Sequence, residues 1–473
     1  MFGRQPWREL VKRHTGLDRA VAFTLSARLC QIISSVGTVL LIIRYLSPVA
    51  QGYYYTLLSL AALQTIFELG FSFVILQLAA HETAHLEIGP DGTIEGDPMA
   101  HARLASVLQL TVRWYSRAAA AFAAAILPLG IVFFMHRGGS AAEVSWFGPW
   151  VTAVLAVSVT FFTNPIHSFL EGSKQVRQVA RMRMHQALAA LAMSWSAIAS
   201  GHGLYACALV NLGVISVGVS FLFSRRHYLL PLLRYPVHGH AVSWRREVWP
   251  FQWKIAVSWF CSYFTLQVFT PILFVCRGPQ EAGRMGLSLS ITGYLPIVAL
   301  CWITTKAAPF GQLVQLQRQG ELDALFSRAL KQSLALLLLL AVGCFIAVLG
   351  VQYVFPKIAM RMEGPPIFAL LLLTAVCSFL VQSMAVYLRS YKREPYLIQS
   401  IAVAVLTVSG VLLTAPRWGS AAVAVVYFTF SGVVGLLWAF AIFRAARKSQ
   451  FALTDSASSE LIYSSSNLML SSR

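Results

Sequence analysis

The sequence predicts an all-α, polytopic membrane protein of about twelve transmembrane helices, arranged as two lobes of six helices. Three observations carry this prediction. Hydrophobic residues make up 57% of the 473 residues and charged residues only 12%, about half of the roughly 25% usual in soluble proteins, so this chain cannot cover a water-exposed surface. Apolar stretches long enough to cross a bilayer recur along nearly its whole length. Short clusters of Arg, Lys, Gly or Pro separate these stretches.

The first predicted span follows a polar, basic N-terminal segment. This segment, residues 1–20, has no apolar run and no small-residue cleavage site, so we expect the first helix to act as its own insertion signal. The predicted spans are residues 21–46, 53–80, 104–136, 145–171, 178–200, 203–224, 248–275, 282–305, 327–355, 364–390, 396–415 and 418–444. The serine-rich segment 445–473 lacks hydrophobic periodicity and is expected to be a disordered cytoplasmic tail.

The distribution of positive charge predicts the orientation. If both termini are cytoplasmic, 26 of the 37 Lys and Arg residues fall on the inside and seven fall outside. The outward residues are Arg44, Arg137, Arg277, Arg284, Lys357, Arg361 and Arg417. Positive residues favour the cytoplasmic side, so the split predicts an inner-membrane protein with both ends inside and gives no reason to expect nucleic acid as a partner. The acidic loop 81–103 fits this placement least well, although acidic residues contribute little to topology.

A basic inward linker, residues 225–247, divides the spans six and six. It separates an N-lobe at 21–224 from a C-lobe at 248–444. An even number of helices per lobe gives both lobes the same orientation, so a duplication would be a parallel repeat about a pseudo-two-fold axis along the membrane normal. A trace of such a repeat is present: Pro48 precedes Gly52 by four residues, and Pro279 precedes Gly283 by four at a constant shift of 231 residues.

These two turns lie in the stretches RYLSPVAQGYYYTLLSLAALQTIFELGFS and FVCRGPQEAGRMGLSLSITGYLP. They resemble the bacterial polysaccharide flippases of the O-antigen type, within the multidrug/oligosaccharidyl-lipid/polysaccharide exporter superfamily. In the arrangement of helices, the resemblance covers residues 20 to 445. In amino-acid sequence, it is limited to those two stretches. It implies two six-helix lobes around a central cavity that opens alternately to each side. It also implies a lipid-linked oligosaccharide as cargo, with membrane lipids and polysaccharide-assembly proteins as partners.

Four cations lie deep inside predicted spans, at least six residues from either end, where each costs roughly 2.5 to 3.5 kcal/mol and so needs a compensating role. Arg28 and Lys254 each lie about two turns into the first helix of their lobe, and Arg113 and Arg117 share one face of the third helix. One hypothesis is that they bind the anionic headgroup of a cargo in a shared cavity. The alternative is that these long side chains extend to the inner membrane boundary.

Glu68, midway along the second span, has two interpretations. An acid in an apolar site could exchange its proton for a coupling ion or substrate. It could instead pair with a cation such as Arg28 and hold the N-lobe together.

The fourth span contains Asn164 and Pro165. A proline inside a helix removes a hydrogen bond and frees a carbonyl, which favours a kink. The kink could act as a hinge when the lobes move, or it could be a fixed feature of packing.

Other function classes lack their motifs. No GxxxxGK[ST] loop, HExxH, CxxC or GxSxG motif occurs, and the predicted outward loops are too short for a membrane glycosyltransferase or polymerase. We therefore expect no enzyme activity, cofactor or metal. The sequence favours a flippase for isoprenoid-pyrophosphate-linked oligosaccharides. A cation-coupled exporter of small drugs or metabolites is the alternative, and it would require buried carboxylates, of which Glu68 alone lies deep in a span.

Overall fold

The computed structural model describes residues 37–68, 70–84, 86–89, 93–137, 144–237, 242, 249–391 and 396–447. Arg28 lies outside the described residues, as do the segment predicted at 1–20 and the tail from residue 448. The backbone of Lys254 lies in a helix, but its side chain is outside the described part. The fold is therefore defined by the elements between residues 37 and 447.

The described part of the first half of the chain is helical apart from short turns and one hairpin. The first helix ends at residue 45. The helices that follow are α1 Pro48–Ala61, α2 Gln64–Glu68, α3 Phe71–Thr83, α4 Pro98–Arg137, α5 Phe147–Leu170, α6 Val176–Ala199, α7 Ala206–Ser224 and α8 Arg226–Arg234. A bend of 42° separates Pro48–Glu68 from α3, and the two parts together are long and apolar enough to form one bent span.

The second half repeats this architecture. Its elements are α9 Trp249–Leu266, α10 Phe269–Arg277, α11 Pro279–Ala299, α12 Cys301–Thr304, α13 Ala307–Gln315, α14 Gln319–Val354, α15 Pro356–Ala359, α16 Pro365–Arg389 and α17 Leu397–Val426. The backbone of α17 breaks at Gly419 (φ 61°, ψ −140°), where the chain turns back. A π-helical segment, Tyr427–Val434, follows and leads into the last helix, at 435–447.

Within the described residues, seven helical stretches are long and apolar enough to cross a membrane, and the bent pair of α1–α2 with α3 adds an eighth. Two of the seven, Phe147–Ala199 and Leu397–Arg447, each contain two antiparallel helices joined by a tight turn. In the second stretch, Gln399 Nε2 donates to the Gly435 carbonyl at 2.7 Å, as an antiparallel pair requires. The described part of the first helix and the α9–α10 pair occupy the two remaining predicted spans, and the predicted fold class is confirmed.

Repeat-related helices begin in the same way in the two halves. Pro48 and Pro279 each occupy the first turn of their helix, where a proline loses no intrahelical hydrogen bond. Ser47 caps α1 by accepting from the Ala50 amide at 3.1 Å. The shift of 231 residues seen in the sequence is therefore a structural repeat at these two positions, as the parallel pseudo-two-fold predicts.

The loop expected at 81–103 differs from the prediction. It contains a short antiparallel hairpin, Leu86–Ile88 paired with Ile94–Gly96, in which Glu87 lies opposite Glu95. The next helix begins at Pro98, six residues before the predicted span, and α14 begins eight residues early. Both helices continue past the apolar stretch into polar sequence, and hydropathy detects only the part of a helix that crosses the lipid.

Candidate functional site

The cations predicted to meet in a cavity are only partly described. Arg28 lies outside the described residues, and only the backbone of Lys254, within α9, is described. A shared site for these two residues stays a prediction. Their expected partners, Arg113 and Arg117, are both described.

Arg113 and Arg117 lie on the same face of α4, four residues apart, and both side chains are exposed. The opposite face is packed, since Tyr115 is fully buried and stacks on Phe71 with ring centroids 5.9 Å apart. Neither arginine makes an ion pair with a carboxylate among the described residues. The protein therefore presents two adjacent guanidinium groups, each able to donate to a phosphate or carboxylate in a bidentate manner.

Glu68 lies at the break in the second span. It is the last residue of α2, and Gly70 at the break takes the left-handed conformation that glycine adopts without strain (φ 68°). Ser72 Oγ donates to Glu68 Oε1 at 2.8 Å and lies 3.5 Å from the Tyr115 hydroxyl. Within the described chain the Glu68 carboxylate has no cationic partner. A short polar chain thus links the break to α4, which carries Arg113 and Arg117.

Asn164 and Pro165 lie within the continuous helix α5, with Asn164 exposed and Pro165 buried. The departure from helical backbone comes later, in the π-helical turn Glu171–Gln175. There Lys174 has a φ of 62°, and its Nζ donates to the Leu86 carbonyl at 2.9 Å. The hinge proposed at Asn164 and Pro165 stays a prediction, and the turn at 171–175 is where the chain reverses direction.

The two lobes make a close contact that the sequence did not assign to a site. A Cβ atom on Gly283 would lie 2.8 Å from the Gly52 amide nitrogen, and one on Gly52 would overlap the Pro279 carbonyl. Tyr53 extends the contact, because its ring packs edge-on against Phe274 of α10 at 5.0 Å. We call this region, residues 43–53 with 274–288, 361–364 and 419–420, the closed end.

A polar latch crosses between the lobes at the closed end. Gln51, only 1% exposed, donates from Nε2 to the carbonyls of Gly283 and Arg361, both at 2.9 Å. Arg361 in turn donates to Gln51 Oε1 at 3.2 Å, to the Ile43 carbonyl at 3.2 Å and to the Leu46 carbonyl. The guanidinium from the C-lobe thus binds the carbonyls that end the first helix of the N-lobe.

Glu363, two residues after Arg361, anchors the same loop within the C-lobe. It is 3% exposed, its amide donates to Ser288 Oγ at 3.0 Å, and Ser420 Oγ donates to its Oε2 at 3.0 Å. The Ser420 amide binds Glu281 Oε1 at 2.5 Å. Burial raises the pKa of Glu363 to about 7, although the charge of nearby Arg284 acts in the opposite direction. The carboxyl therefore titrates near neutral pH.

The latch residues were missed by the sequence analysis for different reasons. Arg361 was recognised only as an outward charge, and Gln51 only as part of the turn from Pro48 to Gly52. A side-chain contact between residues 310 positions apart leaves no local pattern. The repeat of the turn at 48–52 and 279–283 was the one indication in the sequence, since a pseudo-two-fold axis brings equivalent turns of the two lobes together.

Known structures share this architecture. One match is a multidrug resistance MATE family transporter of the MOP superfamily in an inward-facing conformation, at 13% identity and a TM-score of 0.56, covering 87% of this chain and 98% of that one. A MOP superfamily transporter from Pyrococcus furiosus matches at 12% identity and a TM-score of 0.55, covering 90% and 94%. A MATE protein in its straight conformation matches at 13% identity and a TM-score of 0.54, covering 91% and 94%.

No protein-family model and no curated protein matches the sequence. The likeness is therefore one of fold, and it agrees with the two-lobe architecture. The chain has the fold of the MATE transporters of the MOP superfamily.

Proposed function

We propose that this protein is a secondary transporter that moves an isoprenoid-pyrophosphate-linked oligosaccharide from the cytoplasmic to the outer leaflet of a bacterial inner membrane by alternating access. The carrying observation is the exposed pair Arg113 and Arg117, which has no acidic partner within the described residues. An unpaired guanidinium inside a span is costly, and an anionic cargo group would offset that cost.

The charge balance within the spans supports an anionic cargo. Two described cations, Arg113 and Arg117, lie on α4, and Lys254 and Arg28 add two more predicted ones. Glu68 is the acid deep in a predicted span, and its oxygen already accepts from Ser72. A carrier of cationic molecules would require more acidic than basic residues within the spans.

The closed end supports loading from the cytoplasmic side. The predicted orientation puts Arg361, Gln51 and the Gly52–Gly283 contact at the outer boundary. With the lobes joined there, the space between them would open inward, where the lipid-linked precursor is assembled. The lobes would then have to separate at this end for release.

The membrane potential would assist such transport without ATP. Moving one elementary negative charge outward across an inside-negative potential gains roughly 2.3 kcal/mol per 100 mV, so a dianion gains about twice that. The absence of an ATP-binding loop from the sequence agrees with this energy source.

A cation-coupled exporter of small drugs or metabolites is the second candidate, and Glu68 favours it. This carboxylate lies at a helix break without a cationic partner in the described chain, as a coupling site would. The Pyrococcus furiosus transporter is described as having a binding pocket of reversed polarity and a different function, so this fold accommodates more than one pocket polarity.

A leaflet-translocation assay in reconstituted vesicles tests the proposal. The cargo is a fluorescent isoprenyl-pyrophosphate oligosaccharide, and the readout is the rate at which it becomes accessible to an external quencher. We expect Arg113→Gln/Arg117→Gln to lower the rate at least about tenfold, because charge-assisted hydrogen bonds contribute roughly 1.5 to 3 kcal/mol each.

The matched control is Arg328→Gln/Lys331→Gln, which removes two exposed charges from α14 in the other lobe. We expect this variant to keep the wild-type rate. Equal rates for the Arg113/Arg117 variant and wild type, at equal insertion, would contradict the assigned cargo site. Uptake of a cationic dye that depends on Glu68, without movement of the lipid, would favour the exporter instead.

A further inference from the structure

A second basic feature lies within the N-lobe, between α6 and α7. It is a cavity of about 600 Å³ whose polar lining comes from Arg177, Gln178, Arg181 and His185 of α6 and from Ser220, Ser224 and Arg225 at the end of α7. We call it the basic groove. All of its lining residues come from one lobe, so it is separate from the closed end and from any space between the lobes.

The packing of α6 against α7 explains why the groove exists. The helices approach closely at Gly213, where a Cβ atom would lie 2.7 Å from the Ala190 amide nitrogen. One turn further on, Gln186 Nε2 donates to the Val214 carbonyl at 3.1 Å. Beyond Gly218 the larger side chains Met182 and Phe221 replace these contacts, and the cavity opens between the helix ends.

The spacing of the basic residues concentrates charge on one side of the groove. Arg177, Arg181 and His185 are four residues apart along α6 and therefore lie on one face. Arg225 lies opposite, with its guanidinium 5.5 Å from the Phe221 ring centroid and its buried Nε without a hydrogen-bond partner in the described structure.

No acid in the lining neutralises this charge. The lining residues include no Asp or Glu. The nearby carboxylate of Glu171 is bound to Arg183, on a different face of α6, at 2.7 Å. Three guanidinium groups, an imidazole, the Gln178 amide and the Ser220 hydroxyl thus line the groove and can donate to phosphate oxygens, whereas the Ser224 hydroxyl already donates to the Phe221 carbonyl at 2.7 Å.

The position of the groove identifies the kind of molecule that carries the phosphate. It lies where α6 begins and α7 ends, next to the linker that the charge distribution puts on the cytoplasmic side. Its apolar lining, Met182, Val217 and Phe221, is interleaved with the basic residues, and Val217 lies about two turns further into α7 than Arg225. This arrangement fits a lipid, with the phosphate at the boundary and the chains alongside the helices.

We propose that the basic groove binds the phosphate headgroup of an anionic membrane lipid at the cytoplasmic boundary. Lipid binding in the groove does not depend on which cargo the protein transports, because the groove is complete within one lobe. Arg177, Arg181 and Arg225 bind the phosphate oxygens, and Gln178 and Ser220 complete the donor set. The site therefore selects anionic phospholipids over zwitterionic ones.

Native mass spectrometry of the full-length protein in detergent tests this site, with phosphatidylglycerol as the probe and phosphatidylcholine as the reference lipid. The variant is Arg177→Gln/Arg181→Gln/Arg225→Gln. We expect phosphatidylglycerol to bind roughly 100-fold more weakly, because each basic residue near an anionic headgroup contributes about a factor of five. Phosphatidylcholine binding should change little.

The control, Arg328→Gln/Lys331→Gln/Arg444→Gln, removes the same number of exposed charges from the C-lobe and should keep the wild-type affinity. If the triple groove variant does not fold, Arg177→Gln/Arg181→Gln, which changes only exposed side chains, replaces it. Equal weakening by groove and control variants, or no weakening by the groove variant, would overturn the proposal. Inorganic pyrophosphate that binds the groove as tightly as the lipid does would overturn the assignment to a lipid.

Discussion

Gly52 and Gly283, 231 residues apart in the sequence, contact each other where the two lobes meet: a Cβ atom on Gly283 would lie 2.8 Å from the Gly52 amide nitrogen. Each glycine follows the proline that begins its helix by four residues. The repeat brings the same turn from both halves to one axis, where only a residue without a side chain fits.

We expect Gly52→Ala to destabilise the closed end by about 1 to 3 kcal/mol, the usual cost of overpacking, because the added methyl group would overlap the Pro279 backbone. The measurement is the thermal unfolding midpoint of the purified protein in nanodiscs. Gly293→Ala is the control, since it lies on α11 with no atom within 4 Å of the added carbon. A Gly52→Ala midpoint equal to that of the control would contradict the close contact.

Arg361→Gln should loosen the attachment of the C-lobe loop to the first helix. The variant loses the hydrogen bonds to the Ile43 and Leu46 carbonyls, and bonds from charged donors contribute roughly 1.5 to 3 kcal/mol each. Hydrogen–deuterium exchange over residues 41–52 should therefore become about tenfold faster or more. Arg328→Gln removes an exposed charge from α14, away from the closed end, and should leave this exchange unchanged. Equal exchange in both variants would argue against the latch.

The closed end should lose stability as the pH rises. Burial raises the pKa of Glu363 from its ordinary value of 4.5 to about 7, so the folded protein holds a proton that the unfolded chain has already released between these values. Stability contributed by the protonated group is complete below pH 4.5 and falls by about 3 kcal/mol as the pH rises through 7.

Hydrogen–deuterium exchange of the amides of residues 361–364 should therefore be faster at pH 8 than at pH 5.5, after correction for the intrinsic pH dependence of amide exchange. Glu363→Gln should remove most of this difference, because a neutral amide has no proton to lose. Glu321→Gln, an exposed acid at the start of α14, should retain it. The same pH dependence in both variants would assign the effect to another group.

Glu68→Gln should preserve the fold, because a glutamine oxygen can still accept the hydrogen bond from Ser72. We expect an unchanged unfolding midpoint and a changed pH dependence of transport, as for a group that exchanges protons. Ser72→Ala removes the bond and keeps the charge, so it should lower the midpoint by the equivalent of about 1 kcal/mol. A large loss of yield in Glu68→Gln with normal transport would support a structural ion pair instead.

The number of spans and the repeat were predictable because they depend on long-range composition and on helix starts. Twenty apolar residues cross a bilayer whatever their neighbours are, and Pro48 and Pro279 mark the same position in each half. Helix ends were less predictable, since α4 and α14 continue into polar sequence that hydropathy does not distinguish from a loop.

The closed end was not predictable from local patterns. Gln51 and Arg361 are joined by the fold alone, and the high pKa of Glu363 comes from burial that its neighbours in the chain, Met362 and Gly364, do not reveal. The turn at Lys174 has a positive φ without a glycine, which no propensity rule favours. The cavity role of Arg28 and Lys254 stays a prediction that the charge pattern supports.

The most direct test of the account is the distance between spin labels at Arg44 and Arg417, exposed residues of the two lobes, measured by double electron–electron resonance in nanodiscs. The labels are placed on a cysteine-free background. We predict a short distance that gains a longer population in the Arg361→Gln variant and on addition of the lipid-linked oligosaccharide. One unchanged short distance in all three samples would contradict a closed end that opens during transport.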